Sequence, residues 1–393
     1  MDPTTKRPPL WNRNFIQCCI SYFLMNIAYY VQVPTMPLYL SEELGIDNSQ
    51  VGLVLSSYTI GVLCMRPFSG YLVDCFSRKY LYIFAFAMFS LFFVGYFWAT
   101  TVLLLILIRL FQGTFMGLTS VSGNTITIDV IPSARRGEGM GFYGLAINIA
   151  MSLAPLIAVA TYAKQGFNAV VWSSLAFSAL GIFSVLFIRY PRREKVKRPP
   201  LSLDRFILLK AIPAAITYMF VAVAYGMLLS FVVLYGKEIG VANAGYFFIY
   251  MAVGVGLSRL VSGRLIDGGK IHQVAICAMS CLIVMIAVFA TVHNAYVFFA
   301  SAFVIGVGFG IGVPAFQCLF VNVVPHSQRG TAMGTYFTAY DLGIGIGMLT
   351  AGFISSRWGL SAAYLTGSFS CLCALITYLI WTKSSYERHK MLV

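Results

Sequence analysis

Apolar residues fill long unbroken runs in this chain, and polar residues gather in the short gaps between them. Runs matching the about 20 helical residues that cross a hydrocarbon core of ~30 Å fall near 14–38, 50–72, 80–98, 102–124, 139–162 and 168–189. A second set lies near 211–235, 243–265, 272–292, 295–319, 333–354 and 361–382. The one long polar stretch, from Tyr190 to Lys210, separates the two sets and contains Pro191, Pro199 and Pro200, which resist helix continuation. The pattern predicts two membrane units, 1–189 and 211–393, joined by a linker over 190–210. The linker reads either as a solvated spacer or as a lateral helix that tethers two rocking bundles.

The two units are copies. Arg66, Ser69, Gly70, Leu72 and Asp74 recur as Arg259, Ser262, Gly263, Leu265 and Asp267, a shift of 193 positions. The same shift relates Gly113 to Gly306, Gly117 to Gly310, Pro132 to Pro325, Arg136 to Arg329 and Tyr143 to Tyr336. A register held without gaps requires equal helix lengths and equal loops in both halves, the plan of transporters built from parallel repeats.

Composition supports a membrane setting, with 59% hydrophobic and only 10% charged residues, against about a quarter charged in soluble domains. The net charge of +14 raises the question of nucleic acid, and the placement of the charges answers it. With the N-terminus in the cytoplasm, all but six of the 27 Lys and Arg fall in cytoplasmic segments. The six are Lys164, Lys237 and Arg357 outside, and Arg66, Arg109 and Arg259 within helices. This asymmetry predicts a multi-pass plasma (inner) membrane protein with both termini cytoplasmic, and it leaves no basic face for nucleic acid. The nine cysteines form no paired metal or disulfide pattern and read as free thiols; no cofactor is implied. The first run contains Asn26, Gln32, Pro34 and Pro37 and reads as a retained helix rather than a cleaved leader.

Arg66, Gly70 and Asp74 are four residues apart and share one helical stripe. Glycine there permits close helix approach, and Asp74 is expected to face the N-terminus of the eleventh helix, as Asp267 is to face that of the fifth. The stretch Gly70-x-Leu72-x-Asp74-x-x-x-Arg78-Lys79, with its echo at Gly263, Leu265 and Asp267, resembles the signature loop of the major facilitator superfamily. Ser77 stands where that family usually has glycine. The loop Asp129-x-x-Pro132-x-x-x-Arg136-Gly137 is similar to another motif of the family, and Pro325, Arg329 and Gly330 keep part of it. The resemblance spans the chain. It implies an all-α integral membrane fold of 12 transmembrane helices in two pseudo-symmetric six-helix bundles, a central cavity, and alternating access. It also implies a cytoplasmic gate built from Arg66, Gly70, Asp74, Arg78, Lys79, Asp129, Arg136, Gly263, Asp267 and Arg329.

Arg109, Gln112 and Gly113 are similar to the R-x-x-Q-G pattern of proton-coupled exporters in the same superfamily. An arginine at that depth must point into the bundle, either as an electrostatic element of a proton or anion site or as a structural group bonded to carbonyls. Asp341 lies about eight residues into its run, or ~12 Å deep at ~1.5 Å per residue; every other acid falls in a loop or at a helix end. It is the candidate proton carrier, the structural alternative being an anchor for Arg109 or another helix; Asn148 is its counterpart in the first repeat. By the resemblance, helices 1, 4, 7 and 10 with parts of 2, 5, 8 and 11 line the cavity. Asn26, Tyr30, Gln112, Asn148, Tyr225, Gln317, Tyr336 and Tyr340 are the candidate substrate contacts there.

These readings predict a proton-driven secondary transporter in contact with membrane lipid, monomeric, exporting small drug-like or sugar-like organic compounds. The alternative is a proton-coupled uptake symporter for a sugar, nucleoside or organic acid. An enzyme is disfavoured, because His272, His293, His326 and His389 all lie at helix ends or termini, away from Asp341.

Overall fold

The computed structural model describes residues 9–132, 135–189, 208–324 and 329–390. The predicted linker falls almost wholly outside this set. Among the described residues nine continuous helical stretches are long and apolar enough to cross a membrane. Two of them contain a break. Gly166 (φ 74°) divides the stretch Arg136–Leu186, and Gly359 (φ 82°) divides Arg329–Thr377. Only glycine reaches that backbone region at no steric cost, so each is the hinge of a tight reversal, and the two positions differ by the repeat offset of 193.

With these breaks counted, and Arg13–Tyr30 added, twelve helical segments follow in order. They are α1 Arg13–Tyr30, α2 Asn48–Cys75, α3 Arg78–Val94, α4 Val102–Val130, α5 (136–165) and α6 (167–186). The second half gives α7 Ile212–Glu238, α8 Phe247–Asp267, α9 Ile271–Thr291, α10 Ala295–Val321, α11 (329–358) and α12 (360–377). The segment Lys383–His389 extends α12 beyond a π-helical turn. The first predicted run, 14–38, is shorter as a regular helix than expected. It loosens into turns at 31–35 and resumes through Met36–Leu38, because Pro34 and Pro37 remove backbone donors there.

Helix starts follow local chemistry. Asp47 caps α2, Thr101 caps α4 and Asn294 caps α10 by accepting backbone N–H bonds from Ser49, Leu104 and Tyr296. Thr101 and Asn294 are repeat equivalents. Within each half, α2 crosses α4 and α8 crosses α10 through glycine. A methyl on Gly61 or Gly113 would run into the carbonyl oxygens of Leu110 and Tyr58, and one on Gly254 or Gly306 into those of Phe303 and Met251. All four clashes map onto one another by the same offset. Leu260, Leu103, Trp172 and Ile380 are among the apolar side chains left outward, as lipid contact requires.

The start of α1 and the end of α12 lie at one end of the bundle. At the opposite end the halves close on each other. A Cβ on Gly52 of α2 would sit 2.7 Å from the Met348 carbonyl oxygen and 2.9 Å from the Cα of Gly352 in α11. In the pseudo-symmetric contact, a Cβ on Gly245 would sit 2.8 Å from Val159 of α5. Lys237, at the end of α7, bonds Glu42 of the first half at 2.9 Å.

Candidate functional site

α2 and α11 lie side by side along the seam between the halves: Gly52 meets Gly352, Gly345 packs on Thr59, and further along Arg66 meets Asp341. The Arg66 Nε donates to Asp341 Oδ2 at 2.8 Å, and its Nη2 completes an ion pair with the same oxygen. The guanidinium also lies 5.6 Å from the ring centroid of Phe337. Both side chains retain some accessibility, 19% for Arg66 and 18% for Asp341. Asp341 therefore faces the other half of the molecule rather than lipid.

Tyrosines surround the pair. Tyr29 stacks on Tyr58 with centroids 4.5 Å apart and meets Tyr30 edge-on at 5.0 Å. From the second half, Tyr218 stacks on Tyr336 at 4.6 Å and on Tyr340 at 5.7 Å, and their neighbour Tyr225 lies 5.9 Å from Tyr340. The Tyr218 and Tyr336 hydroxyls share a 2.5 Å hydrogen bond. Tyr29, Tyr30, Tyr58, Tyr218 and Tyr336 are all within electrostatic reach of Asp341, and Tyr30 of both Tyr225 and Tyr340 across the seam.

The sequence pattern grouped Asp341 with Arg109 and assigned Arg66 to a gate; the geometry pairs Asp341 with Arg66 instead. Arg109 is 1% exposed inside the first half, with its guanidinium carbon 5.1 Å from the Tyr58 ring centroid. Its Nε and Nη1 have no hydrogen-bond partner among the described residues. Gln112 is equally buried and accepts from the Tyr96 hydroxyl at 2.8 Å. Asn26 donates to its own helix, at the Tyr22 carbonyl, 2.7 Å away. These three belong to the packing of the first half, whereas Tyr30, Tyr225, Tyr336 and Tyr340 reach the seam; Gln317 lies beside the Tyr336 hydroxyl.

Of the predicted gate residues, Arg78 pairs with Asp129, joining the start of α3 to the end of α4. Lys79 Nζ donates to the carbonyls of Leu186 (2.9 Å) and Ile188 (2.7 Å), closing the end of α6. Gly70 and Gly263 have open space where a Cβ would stand. The side chains of Asp74, Arg136, Asn148, Asp267 and Arg329 lie outside the described set. Sequence reading passed over Tyr29, Tyr58 and Tyr218, since a tyrosine in an apolar run gives no sign of whether it faces lipid, core or seam.

A two-bundle helical protein with a charged, aromatic seam has the architecture of a membrane carrier. The sequence profile of the Major Facilitator Superfamily matches residues 18–289 and again 214–390, and the chain belongs to that family: it is a transporter of the major facilitator fold. It is 25% identical over 391 residues to the staphylopine export protein of Staphylococcus aureus, covering 94% of each chain. It is 24% identical to an uncharacterized transporter of this type from Methanocaldococcus jannaschii, covering 93% of this chain and 98% of the relative. Among solved structures, a peptide transporter superposes with a TM-score of 0.80 at 12% identity, over 99% of this chain and 98% of that one. A nucleoside transporter gives 0.77 at 17% identity, over 94% and 99%.

Proposed function

We propose that this protein is a secondary active transporter of the plasma (inner) membrane, with twelve crossings and both termini cytoplasmic, which exports small organic compounds by alternating access in exchange for protons. The observation that supports this most is Asp341, the one carboxylate placed deep within the spanning region among the described residues, paired with Arg66 across the seam. While Asp341 is charged, parting the halves there leaves two ions without partners, a change that costs less than the ~3–5 kcal/mol of a fully buried pair because both keep some accessibility. A proton on Asp341 removes that penalty and frees the seam to rearrange. The close contacts at the end away from the start of α1, Gly52 with Gly352 and Gly245 with Val159, support a carrier shut toward the outside. Export is the direction suggested by the staphylopine export protein, whose sequence this chain resembles along its length.

Asp341→Asn tests the coupling. The variant is expected to be recovered folded in detergent and to lose transport driven by a pH gradient in proteoliposomes; undiminished coupling removes Asp341 from the mechanism. A second reading, proton-coupled uptake, draws support from the same ion pair, because a proton on Asp341 releases Arg66 to hold an anionic group so that proton and solute move together. Counterflow under imposed proton gradients of both signs separates the two: export by exchange accelerates with protons supplied opposite the solute, symport with protons on its side.

A further inference from the structure

Deep within the spanning helices of the described chain lie three arginines, Arg66, Arg109 and Arg259, against a single deep acid, Asp341. Asp341 accounts for Arg66 alone. Arg259 is the repeat counterpart of Arg66, but the counterpart of Asp341 is Asn148, so the symmetric position has a cation and no anion. Its Nε is buried and has no hydrogen-bond partner among the described residues. The groups within its electrostatic reach are Tyr336, Tyr225, Tyr218 and Tyr340, the ring cluster that faces Tyr30 across the seam. Arg109, buried without partners for Nε or Nη1, adds positive potential behind Tyr58 and Tyr29. Neutral phenols accept hydrogen bonds from a guanidinium and offer it ring faces, yet they do not neutralise it, and an uncompensated arginine inside a membrane is costly.

We infer that the tyrosine-lined seam binds a carboxylate-bearing organic anion, with the Arg259 guanidinium as its main counter-charge and the tyrosine rings packing its apolar body. The inference rests on the reading of the seam as a substrate path and names the chemistry of its cargo. An Arg–carboxylate contact is charge-assisted and directional, and tyrosine hydroxyls beside it are suited to the remaining carboxylate lone pairs. Asp341 competes with such a ligand for Arg66, so the two deep charged positions affect binding with opposite sign.

The test is thermal stabilisation and binding of the purified full-length protein with hippurate, citrate and N-acetylglutamate, each compared with its uncharged amide, and with phenethylammonium as a cation. The carboxylates are expected to stabilise the protein, and the amides and the cation to leave it unchanged. Arg259→Gln is expected to weaken carboxylate binding about tenfold or more, the loss of one charge-assisted contact. Arg259→Lys keeps part of the affinity and controls for folding, and Asp341→Asn tightens binding. Stabilisation by phenethylammonium, equal response to amides and acids, no response to any carboxylate, or full carboxylate affinity in a folded Arg259→Gln protein each overturns the inference. Counterflow in liposomes keeps the two readings apart. A carboxylate that binds but is not exchanged upholds the anion site and defeats the transporter reading, while exchange of an amide or cation without carboxylate binding defeats the anion site alone.

Discussion

Asp341 shows how far a single residue can be read from sequence. Its depth is legible from the apolar run around it; its partner is not, because Arg66 is 275 positions away and meets it only through the packing of α2 on α11. Arg109 was legible as an inward residue for the same reason of depth, yet its neighbours Tyr58 and Tyr96 depend on how α2 and the end of α3 fold around α4. The pair makes a stability prediction. Arg66→Gln leaves the Asp341 carboxylate unpartnered and is expected to cost up to about 3 kcal/mol, while adding Asp341→Asn to it recovers most of the loss. Denaturation midpoints of the two single variants and the double variant check this, and additive losses would refute it.

At the scale of elements, glycine sets how close helices come. Gly343 and Gly347 of α11 pack on the backbone of α7, against the carbonyls of Met219 and Val223. Their counterparts in α5 are Ala150 and Ala154, fully buried in a small cluster with Ile27 of α1 and Val31 just after it. Close approach could be expected from the small residues alone, but which helix they approach could not. Gly113→Ala and Gly306→Ala are each expected to destabilise by about 1–3 kcal/mol through overpacking, and by similar amounts because the sites are equivalent; thermal unfolding of the two variants measures it.

The last helical segment offers a milder test. Glu387 bonds His272 of α9 at 2.8 Å and Lys390 at 2.5 Å, and the bonds from Lys390 and then His272 hold its carboxyl below the usual glutamate range. A lowered folded pKa means that this contact is at full strength above the ordinary glutamate value and weakens as pH falls through the lowered one. Hydrogen exchange in Lys383–His389 should therefore rise, relative to the neighbouring span, in acid, and Glu387→Gln should raise it at neutral pH. A pH-independent profile would show that the segment is held by other contacts.

For the whole molecule, the repeat was the most legible feature, since an offset of 193 in motif residues forces two like bundles; the placement of Gly166 and Gly359 at the same offset is its structural echo. The asymmetry inside that frame was only half legible. Asp341 against Asn148 can be read from the alignment of the halves, while the unequal seam contacts, Gly52 on Gly352 but Gly245 on Val159, emerge only in three dimensions. Gly52→Val is expected to wedge that end apart and reduce transport more than tenfold, a loss of over about 1.4 kcal/mol in the rate-limiting step. Labelling of a cysteine introduced at Thr59 should rise in the same variant, and unchanged labelling would mean that the end opens elsewhere.

The crossings of α2 with α4 and of α8 with α10 bring backbone against backbone at glycines in each bundle, contacts that a bend within either bundle would have to break. In the proposed alternating access, motion is then expected as the tilt of one block against the other. Probes placed on one block should report fixed separations throughout a transport cycle, and probes on opposite blocks should report two.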